Sequence, residues 1–166
     1  MRNLIAVPAI LLAIILQSAI VSRVTLLSGA ADLPLVMLAA WAMQDEVETA
    51  WHWAVATGLL AGFVSGIPWI VPVLGYLVVV GLAQMLQRRV WQAPLLAMFS
   101  VTFLGTIGLS IFSVVALRFS GVSLAVADVF GLLTLPSILL NMLLAIPVFA
   151  VMRDLARWVY PAPEVE

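Results

Sequence analysis

Six apolar stretches follow one another along this chain, and no Asp, Glu, Lys or Arg lies well inside any of them. About 20 apolar residues are needed to cross the hydrocarbon core as a helix. Inside that core every backbone polar group must be paired within the segment, which leaves helices as the economical solution. The pattern predicts an all-α integral membrane protein with six transmembrane helices, at about 4–21, 33–46, 50–66, 70–87, 94–117 and 132–152. They form one domain over 1–158, and 159–166 is a short cytoplasmic tail. Composition agrees: 65% of residues are hydrophobic and 9% charged, where soluble domains carry about 25% charged residues. The first run is longer than the apolar core of a secretory signal, whose rival cleavage site would be Gly29-Ala30-Ala31.

The third run contains TGLLAGFVSG, residues 57–66. At helical spacing Ala54, Gly58, Gly62 and Gly66 fall on one face, with Thr57, Ala61 and Ser65 in a row beside it. Three such glycines weaken a helix in water by about 1 kcal/mol each. In lipid, small residues at intervals of four let backbones approach closely. This helix is therefore expected to be the packing hub of the bundle.

The second run is the short one. Asp32 followed by Leu33-Pro34 reads as an N-cap with proline just inside the helix. Twelve residues rise only about 18 Å, so the helix crosses only by continuing through Asp45 to Thr49 or by thinning the bilayer. Arginine counts decide for crossing, because basic residues favour cytoplasmic loops. With six spans and the N-terminus inside, Arg2, Arg88, Arg89, Arg153 and Arg157 are cytoplasmic and Arg23 and Arg118 external. With five spans the bias reverses. The six tryptophans, at 41, 51, 53, 69, 91 and 158, fall near span ends, as interfacial belts do. The turn between the first two runs is placed at Ser28-Gly29, and a loop with a short helical turn is placed between Arg118 and Gly131.

Few residues suggest chemistry. Cysteine is absent, which removes thiolate chemistry and Cys-based metal sites, and there is a single histidine. Asp45, Glu48 and His52 would share a face of one continuous helix, with Glu46 beside it. That group is a solvated turn, an acidic docking patch or a metal site, and Arg88 and Arg89 lie on the same side of the membrane. Within the membrane Thr102, Thr106, Ser110 and Ser113 follow one face of the fifth helix, with Gly105 close by. Ser137 and Asn141 share a face of the sixth, between Pro136 and Pro147. These groups either bond their own backbone and fix helix register, or line a cavity or a contact with another membrane protein. No cluster of aromatic and polar residues is expected to converge on an external-facing pocket. No catalytic pair, phosphate loop or cofactor motif is present, and seven scattered arginines make no nucleic-acid surface.

The order of motifs resembles MreD, the small membrane subunit of the bacterial rod-shape machinery. It runs from Leu16-Gln17 through Asp32 to Trp41, Gly62-Phe63-Val64-Ser65-Gly66 with a proline soon after, and Gly75-Tyr76. It ends at Asn141, Pro147, Phe149 and Met152-Arg153. The resemblance implies a non-enzymatic scaffold of the bacterial cytoplasmic (inner) membrane with both termini cytoplasmic and no cofactor. Its partners would be surrounding lipids and an MreC-like single-span protein. Through the latter it would be linked to the MreB filament and to a RodA-type peptidoglycan polymerase with its class B penicillin-binding transpeptidase. The family is also distantly similar to the S-component bundles of energy-coupling-factor importers. That gives the alternative of a membrane subunit that binds a small ligand. Helix packing and partner contact fall to Gly58, Gly62, Gly66, Ser65, Ser137, Asn141, Thr102 and Thr106, and cytoplasmic docking to Asp45, Glu46, Glu48, Arg88 and Arg89.

Overall fold

Prolines, small polar residues and the few charges set where the helices begin and end. The computed structural model describes residues 6–45, 47–88, 93–123 and 125–160, and about 81% of them are helical. Helix α1 is Ala6–Ala19. A 3-10 turn, Val21–Arg23, and a small antiparallel hairpin follow, β1 (Thr25–Leu26) against β2 (Gly29–Ala30). Then come α2 (Leu33–Ala42), α3 (Ala50–Ser65), α4 (Ile70–Gln87) and α5 (Pro94–Phe119). The last helical segment, here α6, is Val126–Val159. It is built from a turn at Val126–Asp128, a π-helical stretch at Val129–Thr134 and an α-helix at Leu135–Val159. Helices α4, α5 and α6 are each long and apolar enough to cross a membrane. Their outward side chains, among them Leu74, Leu104, Ile111, Leu143 and Val151, are exposed apolar groups. A soluble monomer does not present such a surface, and the chain is a membrane protein.

The centre of the bundle is α2, not the glycine-bearing helix. It stops at Ala42, short of the expected 46, so its ten residues rise about 15 Å. Every residue from Pro34 to Ala42 is buried, and α2 packs on α1, α3, α4, α5 and the α-helix of α6. A helix enclosed by protein is screened from lipid, so its length need not match the hydrocarbon thickness.

The glycine face of α3 serves a narrower contact, with α4. A Cβ added at Gly58 would lie 2.6 Å from Val73 Cα, and one at Gly62 would lie 2.6 Å from Trp69 Cα. Ala54 and Thr57 are also buried, whereas Ser65 is exposed. Gly66 leaves the row altogether: it is the left-handed C-cap (φ 67°), with open space around it. Gly66→Ala is therefore expected to cost about 1 kcal/mol through backbone strain alone, read as a lowered unfolding midpoint with the α3–α4 contact intact.

The hairpin after α1 docks on the π-helical stretch of α6. A π turn displaces the regular hydrogen-bond ladder, and the Leu132 carbonyl accepts from Ser28 N–H at 3.1 Å. The Thr134 hydroxyl donates to the Val129 carbonyl at 3.2 Å. Gly29 lies so close to α6 that a Cβ there would stand 2.5 Å from the Leu133 carbonyl oxygen. This fixes Gly29 as a strand residue and moves the turn to Leu27-Ser28, with Leu27 at φ 55°.

Other boundaries shift outward. Helix α5 continues to Phe119, and the last helix runs past 152 to Val159, so Arg153, Asp154, Arg157 and Trp158 are helical. The loop expected over 118–131 shrinks to 120–125. Trp41 and Trp53 do not belong to an interfacial belt: both are buried and stacked, ring centroids 4.4 Å apart. Trp51, Trp69 and Trp158 are exposed. Arg2, Glu46, Arg89, Trp91 and the tail 161–166 lie outside the described residues.

Both ends of the described chain sit at one end of the bundle. Pro8 and Leu155 line a common apolar groove, and the Tyr160 ring is 6.5 Å from that of Trp41 at the C-terminal end of α2. At this end Gln87 Nε2 donates to Asp45 Oδ1 at 2.7 Å.

Candidate functional site: a polar node around Asp32

The N-terminus of α2 opens inside the bundle, and its first N–H groups need partners there. The Asp32 carboxylate supplies one, accepting from Leu35 N–H at 2.9 Å. Gln17, late in α1, supplies the next: its Oε1 accepts from Leu33 N–H at 2.8 Å, while its Nε2 donates to the Ala31 carbonyl at 2.8 Å. Asn141 of α6 closes the other side, its Oδ1 accepting from Asp32 N–H at 2.6 Å. The amide of Asn141 donates to Thr106 Oγ1 of α5 at 2.9 Å, and that hydroxyl donates to the Thr102 carbonyl at 2.7 Å. Tyr76 of α4 donates its hydroxyl to the Asp32 carboxylate, at 3.1 and 3.2 Å from the two oxygens.

One residue stretch, Ala31 to Leu35, is thus tied through side chains to α1, α4 and α6, and through Asn141 to α5. Asn141 is fully buried, and Tyr76 and Thr106 nearly so. Asp32 is half-buried, because two cavities open beside it. One, of about 410 Å³, lies among α1, α3, α4 and α5 and is lined by Gln17, Asp32, Tyr76 and Ser113 with apolar walls. The other, of about 360 Å³, lies towards α6 and is lined by Asp32, Thr106, Ser110, Ser113, Ser137 and Asn141.

This arrangement bears out one expectation and corrects another. Asp32 is the cap of α2, as its sequence context predicts, and it sits inside the bundle. Aromatic and polar residues do converge beside cavities: Tyr76, Gln17, Asp32 and Asn141 meet although they are scattered along the sequence. Of the residues singled out beforehand, Asn141 and Thr106 are in the node, Ser137 is half-buried on the second cavity, and Thr102 contributes its carbonyl. The Thr102 and Thr57 hydroxyls and Trp41 Nε1 are buried and unpartnered. Gly58 and Gly62 are on the α3–α4 contact, away from the node. The missed members were Gln17, Asp32 and Tyr76, whose signal was their place in the motif succession.

The acidic segment forms no continuous face with His52. Residues 43–49 separate α2 from α3, Val47 is buried among them, and Asp45, Glu48, His52 and Arg88 are exposed. Among the described residues no group of three His, Cys, Asp or Glu is placed to hold a metal ion. The chain matches no family model, no curated protein and no solved structure.

Proposed function

We propose that the chain is a non-enzymatic scaffold of the bacterial cell-elongation machinery in the cytoplasmic membrane. In this reading it has six spans and both termini inside, and it binds an MreC-like single-span protein. Through that partner it connects to a RodA-type polymerase, its class B transpeptidase and the MreB filament. The observation that supports this is the convergence of Gln17, Asp32, Tyr76 and Asn141. Each belongs to a short motif of the MreD resemblance, each motif is weak alone, and their side chains meet in one hydrogen-bonded node. Such a node fixes five helices in register, which suits a body that offers constant outer faces to partners. The arginine bias supports the orientation, and the exposed Asp45, Glu48 and Arg88 then face the cytoplasm.

Affinity purification from cells in mild detergent tests the proposal. The expected result is recovery of a single-span protein with a periplasmic coiled coil. Recovery of ATPases with a membrane coupling subunit would overturn it in favour of the importer subunit.

A further inference from the structure

The first cavity beside Asp32 is lined by hydrogen-bond acceptors. Four serines contribute to its lining, and each donates its hydroxyl proton to a carbonyl of its own chain segment. Ser18 donates to Ile15 at 3.1 Å, Ser22 to Ser18 at 3.0 Å, Ser65 to Ala61 at 2.7 Å and Ser113 to Leu109 at 2.8 Å. A carbonyl oxygen has no proton to give, so the direction of each bond is fixed and each serine oxygen retains lone pairs. Tyr76 donates to Asp32 in the same way. Gln17 has both heads engaged on the backbone of residues 31 and 33. The Asp32 carboxylate adds further acceptor positions, and among the described residues no Arg, Lys or His lines the cavity.

A lining of this kind repels anions and gives the carboxylate no counter-charge from the described residues, a costly arrangement unless a cation joins it. Its complement is a single positive charge bearing several N–H donors, since charge-assisted hydrogen bonds are the strong ones. The walls of Ile14, Val64, Ile67, Val71 and Leu109 and the volume of about 410 Å³ leave room for an organic body, far more than an alkali ion fills. We propose that this cavity binds a small primary ammonium compound, with the Asp32 carboxylate as counter-charge and the serine oxygens accepting its N–H groups. The site goes beyond the scaffold role and does not rest on it.

The test is calorimetric titration of the purified protein in lipid nanodiscs with phenethylamine. Its neutral analogue 2-phenylethanol and the anion 3-phenylpropionate are the comparisons. Saturable binding is expected for the amine alone. Asp32→Asn, which preserves an N-cap residue, should weaken it at least about tenfold, while Leu143→Ala on the outer surface leaves it unchanged. The absence of saturable amine binding, equal binding of the alcohol, or unchanged affinity in a folded D32N variant would each overturn the proposal. If D32N does not fold, the comparison of amine and alcohol on the unaltered protein still decides.

Discussion

Replacing Gly58 by leucine is expected to separate α3 from α4 and to lower stability by about 3 kcal/mol or more. The cause is where the new atoms fall. A Cβ at this position stands 2.6 Å from Val73 Cα and 2.8 Å from Val73 N. Backbone atoms in the first turn of α4 cannot rotate away as a side-chain tip can, so the two helices must move apart and lose the close approach that drives association in lipid. Gly62→Leu should behave alike, because its Cβ meets Trp69 Cα at 2.6 Å. Gly108 is the control: an added Cβ there meets nothing within 4 Å, and Gly108→Ala should leave stability unchanged or raise it slightly through helix propensity. Thermal unfolding in detergent distinguishes the three. If G58L and G62L unfold at the same temperature as the parent, the close contact of α3 and α4 is not required.

The second large effect is expected at Asn141. Asn141→Leu keeps the approximate size of the side chain but removes the acceptor for Asp32 N–H and the donor to Thr106. A buried donor left without a partner costs about 1–3 kcal/mol, at the upper end of what interhelical hydrogen bonds contribute in membranes. For a chain of this length that corresponds to roughly 2–12 °C in the unfolding midpoint. The loss should be local to the node, so Tyr76→Phe, which removes a single hydrogen bond to Asp32, should cost less. An N141L variant as stable as the parent would mean that the α2 N-terminus is satisfied by other groups.

What the sequence reveals about this fold follows from which forces have a local signature. The length of α4, the start of α5 at Pro94 and the cap at Asp32 were readable because hydrophobic runs, prolines and capping residues act within a few positions. The close approach at Gly58 and Gly62 was readable from their spacing of four. Their partner was not, since the spacing names a face and not what meets it. For α2 the uniform apolarity of Leu33 to Ala42 fits both lipid and protein surroundings, and only its shortness hinted that it is enclosed. The stacking of Trp41 on Trp53 was hidden for a related reason, as tryptophan near a span end suits an interface and a core equally. The node depended on long-range geometry: Gln17 and Asn141 each look like a polar residue in search of a local backbone partner. Only the three-dimensional arrangement brings both to the same peptide segment, Gln17 to Ala31 and Leu33 and Asn141 to Asp32 between them. The π turn of α6, which receives Ser28, has no sequence signature in Val129–Thr134 that we could identify.

In the proposed six-span topology the enclosed, half-length α2 counts as a crossing and sets the side of every later helix, and cysteine accessibility tests this directly. The chain has no native cysteine, so single replacements can be labelled with a membrane-impermeant maleimide in intact cells. Leu27→Cys, Gly66→Cys and Gly121→Cys are expected to react from outside. Glu48→Cys, Arg88→Cys and Asp154→Cys should react only after the membrane is opened. Reaction of Leu27→Cys and Glu48→Cys from the same side would contradict the crossing at α2 and the orientation built on it.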